Sequence, residues 1–380
     1  MEKEIKNKKK RSGFVVFLII AVMMGFLAGI SGEFFTRYYL SNLAFFRDLY
    51  FTERTGWGQQ EIIIQDPRKV VVEQDLRAEQ LKTQLQTNTV AIYKKKLISD
   101  SALNNVFLPT DYVGQAFILT SDGWLISSNE SITAAGSQVA VGYNKKIHEI
   151  EKVIKDSFTG LVFIKITAQN LSAAKLATFE KIRDGQFVYA YNSYSNQLSS
   201  ANIAEKRHKE IKTKFDFISS TRNLDKQILL TTDFAKGFEN SPLLNLEGEI
   251  VAVLSAQDRA VPIYYISPII SQVLRGDEIK RPDLGINYID LTRVYGLSEK
   301  ERQGLEAGAL ISPDAKGVAV KADSPLAGKL RTGDIIISLE NQKITRHKDL
   351  TDILLEYKIG QIITLKYLRD NQENELDVVL

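Results

Sequence analysis

The chain has 380 residues, room for two or three domains that each bury a core. Its net charge of +3 leaves no general basis for nucleic-acid binding, and the absence of Cys excludes disulfides, thiolate nucleophiles and thiolate metal sites. Only His148, His208 and His347 carry imidazoles, far apart and without ligand spacing, so neither a metal site nor a cofactor is expected.

Residues 1–12 form a basic tail containing Lys3, Lys6, Lys8, Lys9, Lys10 and Arg11. The uncharged run that follows predicts a transmembrane helix over 13–32, since about 20 apolar residues at 1.5 Å each cross the hydrocarbon layer. The positive flank places the N-terminus in the cytoplasm and the rest of the chain outside it, periplasmic or at the cell surface. A cleaved secretory signal is the other reading, and it exports the same residues.

Residues 33–88 make a connecting segment. Its first part is aromatic-rich, with Phe34, Phe35, Tyr38, Tyr39 and Trp57, suited either to the membrane interface or to packing on protein. Its second part, from Asp66, is polar, helical or linker-like, and expected to be exposed. From residue 89 the pattern changes to short apolar runs separated by turn residues, among them VAIYKK, GQAFILTS, GWLISS, GLVFIKI, GQFVYAYN, KFDFISS and GEIVAVLS. Nine or so strands over 89–276 suit a two-barrel β domain, closed by a short helix that ends near Gly276. The run Lys206-Arg207-His208-Lys209 reads as a solvated basic loop. A charged linker, 277–283, leads to the last hundred residues.

Several of these stretches follow known motifs. GQAFILTSDGWLISSNESI, from Gly114, resembles the strand pair that carries the catalytic histidine in trypsin-like proteases of the HtrA (DegP/DegQ) family. ADSPLA from Ala322 and LRTGDII from Leu330 resemble a PDZ domain of the permuted bacterial type over 284–380. The resemblance implies a mainly β protein, with a chymotrypsin-fold domain over 89–276 followed by a PDZ domain.

The same resemblance implies that the catalytic machinery is degraded. The family's histidine position holds Glu130, and its aspartate position holds Gly160, with Asp156 four residues earlier as an ordinary turn residue. At the serine motif two registers are open: anchored on PLLN the nucleophile position is Glu239, and anchored on Asp233 it is Ser241. Acyl transfer needs a hydroxyl, a proton acceptor and two oxyanion donors. A carboxylate of ordinary pKa is a weak acceptor for a serine proton, and Glu239 beside the serine repels a developing oxyanion. Pro242 restricts the backbone of Ser241.

The expectation is therefore a non-catalytic HtrA-like protein. Its PDZ domain is expected to bind protein C-termini or unfolded segments through the loop residues Leu284, Gly285 and Ile286 and the helix residues Leu350 and Leu354. Asp283 in that loop is expected to disfavour a free carboxylate. A homotrimer, or a hetero-oligomer with active relatives, is the assembly the family implies. The alternative is a working serine endopeptidase that uses Ser241 with a non-standard base.

Overall fold

The computed structural model describes residues 17–32, 67–128, 131–133 and 136–380, giving the backbone alone from 67 to 75. The chain divides into two units, Met1–Val70 and Val71–Leu380. In the first, residues 17–32 form a helix whose side chains, Phe17, Leu18, Met23 and Phe26 among them, are all exposed. Among the described residues no helix is long and apolar enough to cross a membrane. The expected span over 13–32 gains no support there, residues 17–32 being the part of it that the structure describes. The basic tail, residues 13–16 and the aromatic stretch from 33 to 66 lie outside the described residues.

The second unit opens on the rest of helix Pro67–Asn88. Its composition is polar, yet Leu81 and Leu85, one turn apart, are fully buried. They join Phe117, Trp124 and Phe163 of a first barrel and Tyr189, Leu244 and Val261 of a second in one core. Arg77 donates to the Leu246 carbonyl at 2.6 Å and Gln84 to the Gly248 carbonyl at 2.6 Å. This corrects the expectation of an exposed segment: two leucines at helical spacing make its last turns part of the domain.

The first barrel is closed by six strands in the order Thr89–Lys94, Tyr112–Ile118, Trp124–Ser127, Val162–Ile166, Ile147–Lys155 and Gln138–Val141. Alternate residues point inward, so Ile92, Ala116, Ile118, Leu125, Ile164 and Ile166 fill it. The second runs Pro242–Leu244, Phe187–Asn192, Gln197–His208, Gln227–Leu230, Arg259–Pro262 and Glu249–Leu254, and pairing of the last strand with the first closes it. A 3-10 turn, Ile263–Ile269, and helix Ile270–Arg275 follow, ending at Gly276 in the left-handed conformation. Two barrels and a closing helix are what the turn spacing predicted.

The C-terminal sheet runs Asn287–Asp290, Ala309–Ile311, Ile335–Leu339, Ile362–Arg369 and Gln372–Val379, with helix Leu350–Leu354 beside it. Leu284, Ile286, Leu350 and Leu354 belong to its core. Gln342–Lys343 pairs with Ile335–Leu339, and a seventh strand, Ile218–Ser220, pairs on the outer edge of Asn287–Asp290. This is the KFDFISS stretch, expected among the strands of the two-barrel domain and found on the C-terminal sheet.

Candidate functional site

Pro242 has no N–H to donate, and it opens the strand Pro242–Leu244. The residues before it form a tight turn in which the Ser241 amide donates to the Phe238 carbonyl at 3.1 Å. Asn240 takes the positive φ of 67° that the turn needs. Ser241 is thereby drawn into the ladder: its carbonyl accepts from the Leu254 amide at 2.8 Å, and the residue is fully buried.

Its hydroxyl is committed. The Tyr191 amide donates to Ser241 Oγ at 2.9 Å, and that Oγ donates its one hydrogen to the Tyr191 carbonyl at 2.9 Å, with the Pro242 carbonyl 3.2 Å away as the other acceptor. Among the described residues every partner is backbone. A serine nucleophile needs an accessible oxygen and a base within hydrogen-bond reach, and here the oxygen ties two strands together.

Glu239 stands at the tip of the same turn. Its carboxylate accepts from the Gly237 amide at 2.6 Å, and its carbonyl accepts from Gln115 Nε2 at 3.3 Å. Gly237 has φ of 98°, and a Cβ there would stand 2.8 Å from the Asn192 side chain, so only glycine fits. Burial pushes the nearby Tyr112 phenol up to about 12, which keeps it neutral beside Glu239. The turn thus folds the Glu239 carboxylate back onto its own loop, two residues before Ser241.

The other expected positions are placed as follows. Glu130 lies outside the described residues; Ser128 hydrogen-bonds Asn240 Oδ1 at 2.9 Å and the Leu254 carbonyl at 2.7 Å. Gly160 closes a turn with φ of 74°, its amide on the Asp156 carbonyl at 2.8 Å. Asp156 is no ordinary turn residue: it is buried, accepts from Thr159 Oγ1 at 2.6 Å, and pairs with Arg281 at 2.5 Å. No imidazole is among the hydrogen-bond partners of Ser241. His148 Nδ1 meets the Thr167 carbonyl, His208 Nδ1 meets Glu205, and the His347 carbonyl accepts from Arg207.

The second site is the loop before Asn287–Asp290. Gly285 has φ of 63°, and a Cβ on it would meet Ser324 Cβ at 2.9 Å. Leu284, Ile286, Leu350 and Leu354 share one core, all fully buried. Asp283 accepts from the Gly285 amide at 2.7 Å and from Thr221 Oγ1 at 2.7 Å, and pairs with Arg222 at 2.6 Å.

Sequence reasoning missed a buried charge cluster between this domain and the second barrel. Asp349, at the N-cap of Leu350–Leu354, pairs with Arg207 at 3.0 Å and with Lys226. Asp352 takes the other arm of Arg207 and accepts from the Tyr265 hydroxyl at 2.8 Å. Burial works against the Asp349 charge; Lys226 and Arg207 outweigh it and hold the carboxyl well below the usual range. Arg207 is only 5% exposed, which corrects the solvated-loop reading of the basic run. The run is the end of strand Gln197–His208, and its acidic partners lie over a hundred residues further along the chain.

Residues 282–380 match the PDZ domain family. The chain is 26% identical over 288 residues to serine protease Do-like HtrB of Bacillus subtilis (strain 168), covering 70% of this chain and 61% of the relative. To the probable periplasmic serine endoprotease DegP-like of Pseudomonas putida (strain W619) it is 25% identical, covering 70% of this chain and 55% of the relative. This chain is HtrA-like. It spans little more than half the length of these relatives. Two solved structures share its fold: the HtrA-type protease AlgW with tripeptide has a TM-score of 0.59 at 18% identity, covering 80% of this chain and 96% of that one. AlgW with decapeptide has a TM-score of 0.57 at 16% identity, covering 80% of this chain and 97% of that one.

Proposed function

We propose that this HtrA-like chain is a non-catalytic binding protein, held at a membrane by its N-terminus and working outside the cytoplasm. One observation carries the loss of catalysis: Ser241 is fully buried, and among the described residues its hydroxyl hydrogen-bonds backbone groups alone. Glu239, two residues before Ser241, supports the same reading, because a carboxylate there repels a developing oxyanion. The anchor rests on the basic tail and the uncharged run over 13–32, and the location also on the periplasmic naming of relatives. The ligands are segments or C-termini of other proteins, taken at the PDZ domain around Leu284, Gly285, Ile286, Leu350 and Leu354. A homotrimer, or a mixed assembly with active relatives, is the form in which it works.

The second reading, a serine endopeptidase using Ser241 with a non-standard base, is favoured by the endoprotease names of the relatives. Casein digestion and fluorophosphonate labelling separate the two. The full chain is expected to do neither. Digestion abolished by Ser241→Ala, with a labelled Ser241, would establish the enzyme.

A further inference from the structure

A PDZ domain takes a peptide C-terminus as an extra strand on a sheet edge, with loop amides holding the carboxylate. Here that edge already has a strand. Ile218–Ser220 leaves the second barrel and pairs antiparallel with Asn287–Asp290, Ile218 opposite Ile289, Ser219 opposite Tyr288 and Ser220 opposite Asn287. The next residue extends the ladder, the Thr221 amide donating to the Ile286 carbonyl at 3.1 Å. The other edge of Asn287–Asp290 is occupied by Ala309–Ile311.

The segment also runs the way a ligand runs, its C-terminal end at the Leu284-Gly285-Ile286 turn. The groups of a terminal carboxylate are imitated there. The Ile286 amide donates to Thr221 Oγ1 at 3.3 Å, and the Gly285 amide to Asp283 Oδ1. Asp283 therefore places its own carboxylate against the Gly285 amide, and Thr221 Oγ1, which takes the Ile286 amide, donates to the same oxygen. Arg222 fastens the arrangement, reaching Asp283 at 2.6 Å and Asp323 at 2.9 Å. Ser219 and Thr221 are 5% and 2% exposed.

We propose that residues 218–221 are an internal ligand of the PDZ groove, latched by Arg222 to Asp283 and Asp323, and that an external C-terminus binds only by displacing them. This rests on the reading that the groove takes protein segments. A groove that is open only part of the time binds with its intrinsic affinity reduced by the open fraction. Loosening the latch raises that fraction, so it strengthens binding of outside peptides.

The test uses the full-length chain and two readouts. The probe is a fluorescein-labelled peptide copying residues 214–221 and ending in a free carboxylate. It is expected to bind Arg222→Ala at least ~10-fold more tightly than the parent chain, with Asp283→Asn as the second variant if Arg222→Ala does not fold. The second readout needs no ligand. Since the chain has no Cys, Ser219→Cys gives a single thiol, and its reaction with a maleimide is expected to be ~100-fold slower than that of the exposed Ser195→Cys and to speed up when Arg222→Ala is added. Equal peptide affinity in parent and variant overturns the proposal. So does a Ser219→Cys thiol that reacts as fast as the control, or one whose protection ignores the latch. No peptide binding to either chain, with a protected thiol that the latch variant frees, keeps the internal ligand and removes the reading that the groove takes outside segments.

Discussion

Ser241 shows how a side chain suited to chemistry serves a structural end. Its hydroxyl satisfies the Tyr191 amide and carbonyl inside a barrel seam, so removing it leaves two buried backbone groups without a partner. Ser241→Ala is expected to destabilise the chain by about 1–3 kcal/mol in urea melts, the cost of a buried unsatisfied donor. A dispensable relic would cost nothing, and melts that superimpose would remove the structural role. Asp349 makes a second prediction at this scale. Its carboxyl is depressed, so its contribution is complete above the ordinary carboxylate pKa and fades as pH falls through the lower folded value. The gap in melting temperature between the parent chain and Asp349→Asn should be constant from about pH 5 to 9 and narrow below about pH 4. A gap that closes near pH 6 would place the linked proton elsewhere.

At the scale of elements, helix Pro67–Asn88 carries the clearest forecast. Leu81 is fully buried between the barrels, whereas Leu76 on the same helix is 53% exposed. Leu81→Ala is expected to cost about 2–5 kcal/mol, and Leu76→Ala to stay within about 0.5 kcal/mol. Comparable losses at both positions would mean that the helix is held by another face. The sequence pattern exposed most strands here because alternation and turn residues are local signals, and it exposed the PDZ motif because Gly333-Asp334 and the residues around Pro325 are local too. It missed Gln197–His208, whose QLSSANIAEKRH pattern is too polar to announce a strand. It read Ile218–Ser220 as a barrel strand, since a two-residue period says that a segment is extended without naming its partner. The departure of Ser241 and Glu239 from the family's serine motif was legible in residue types, whereas the backbone partners of the Ser241 hydroxyl were not. The charges of Arg207 and Lys226 were not, because a basic run looks solvated until distant carboxylates fold against it.

Across the second unit, the PDZ domain is joined to the barrels by the shared strand, by the Arg207–Asp349–Lys226 cluster and by Arg281 on Asp156. Leu355 also packs with Phe158 and Tyr265. A linker of flexible type would let the domains melt separately. These contacts predict the opposite, one calorimetric transition for barrels and PDZ domain together. Breaking one member of a buried pair strands its partner, at a cost of about 3–5 kcal/mol. Arg207→Ala leaves Asp349 and Asp352 facing Lys226 alone, so it should weaken the seam and split the transition in two, the PDZ part melting first. Arg331→Ala, at an exposed pair with Asp370, is the control that leaves one transition. If the parent chain already shows two separate transitions, the seam does not couple the domains, and the strand at 218–220 must then open without the barrels noticing.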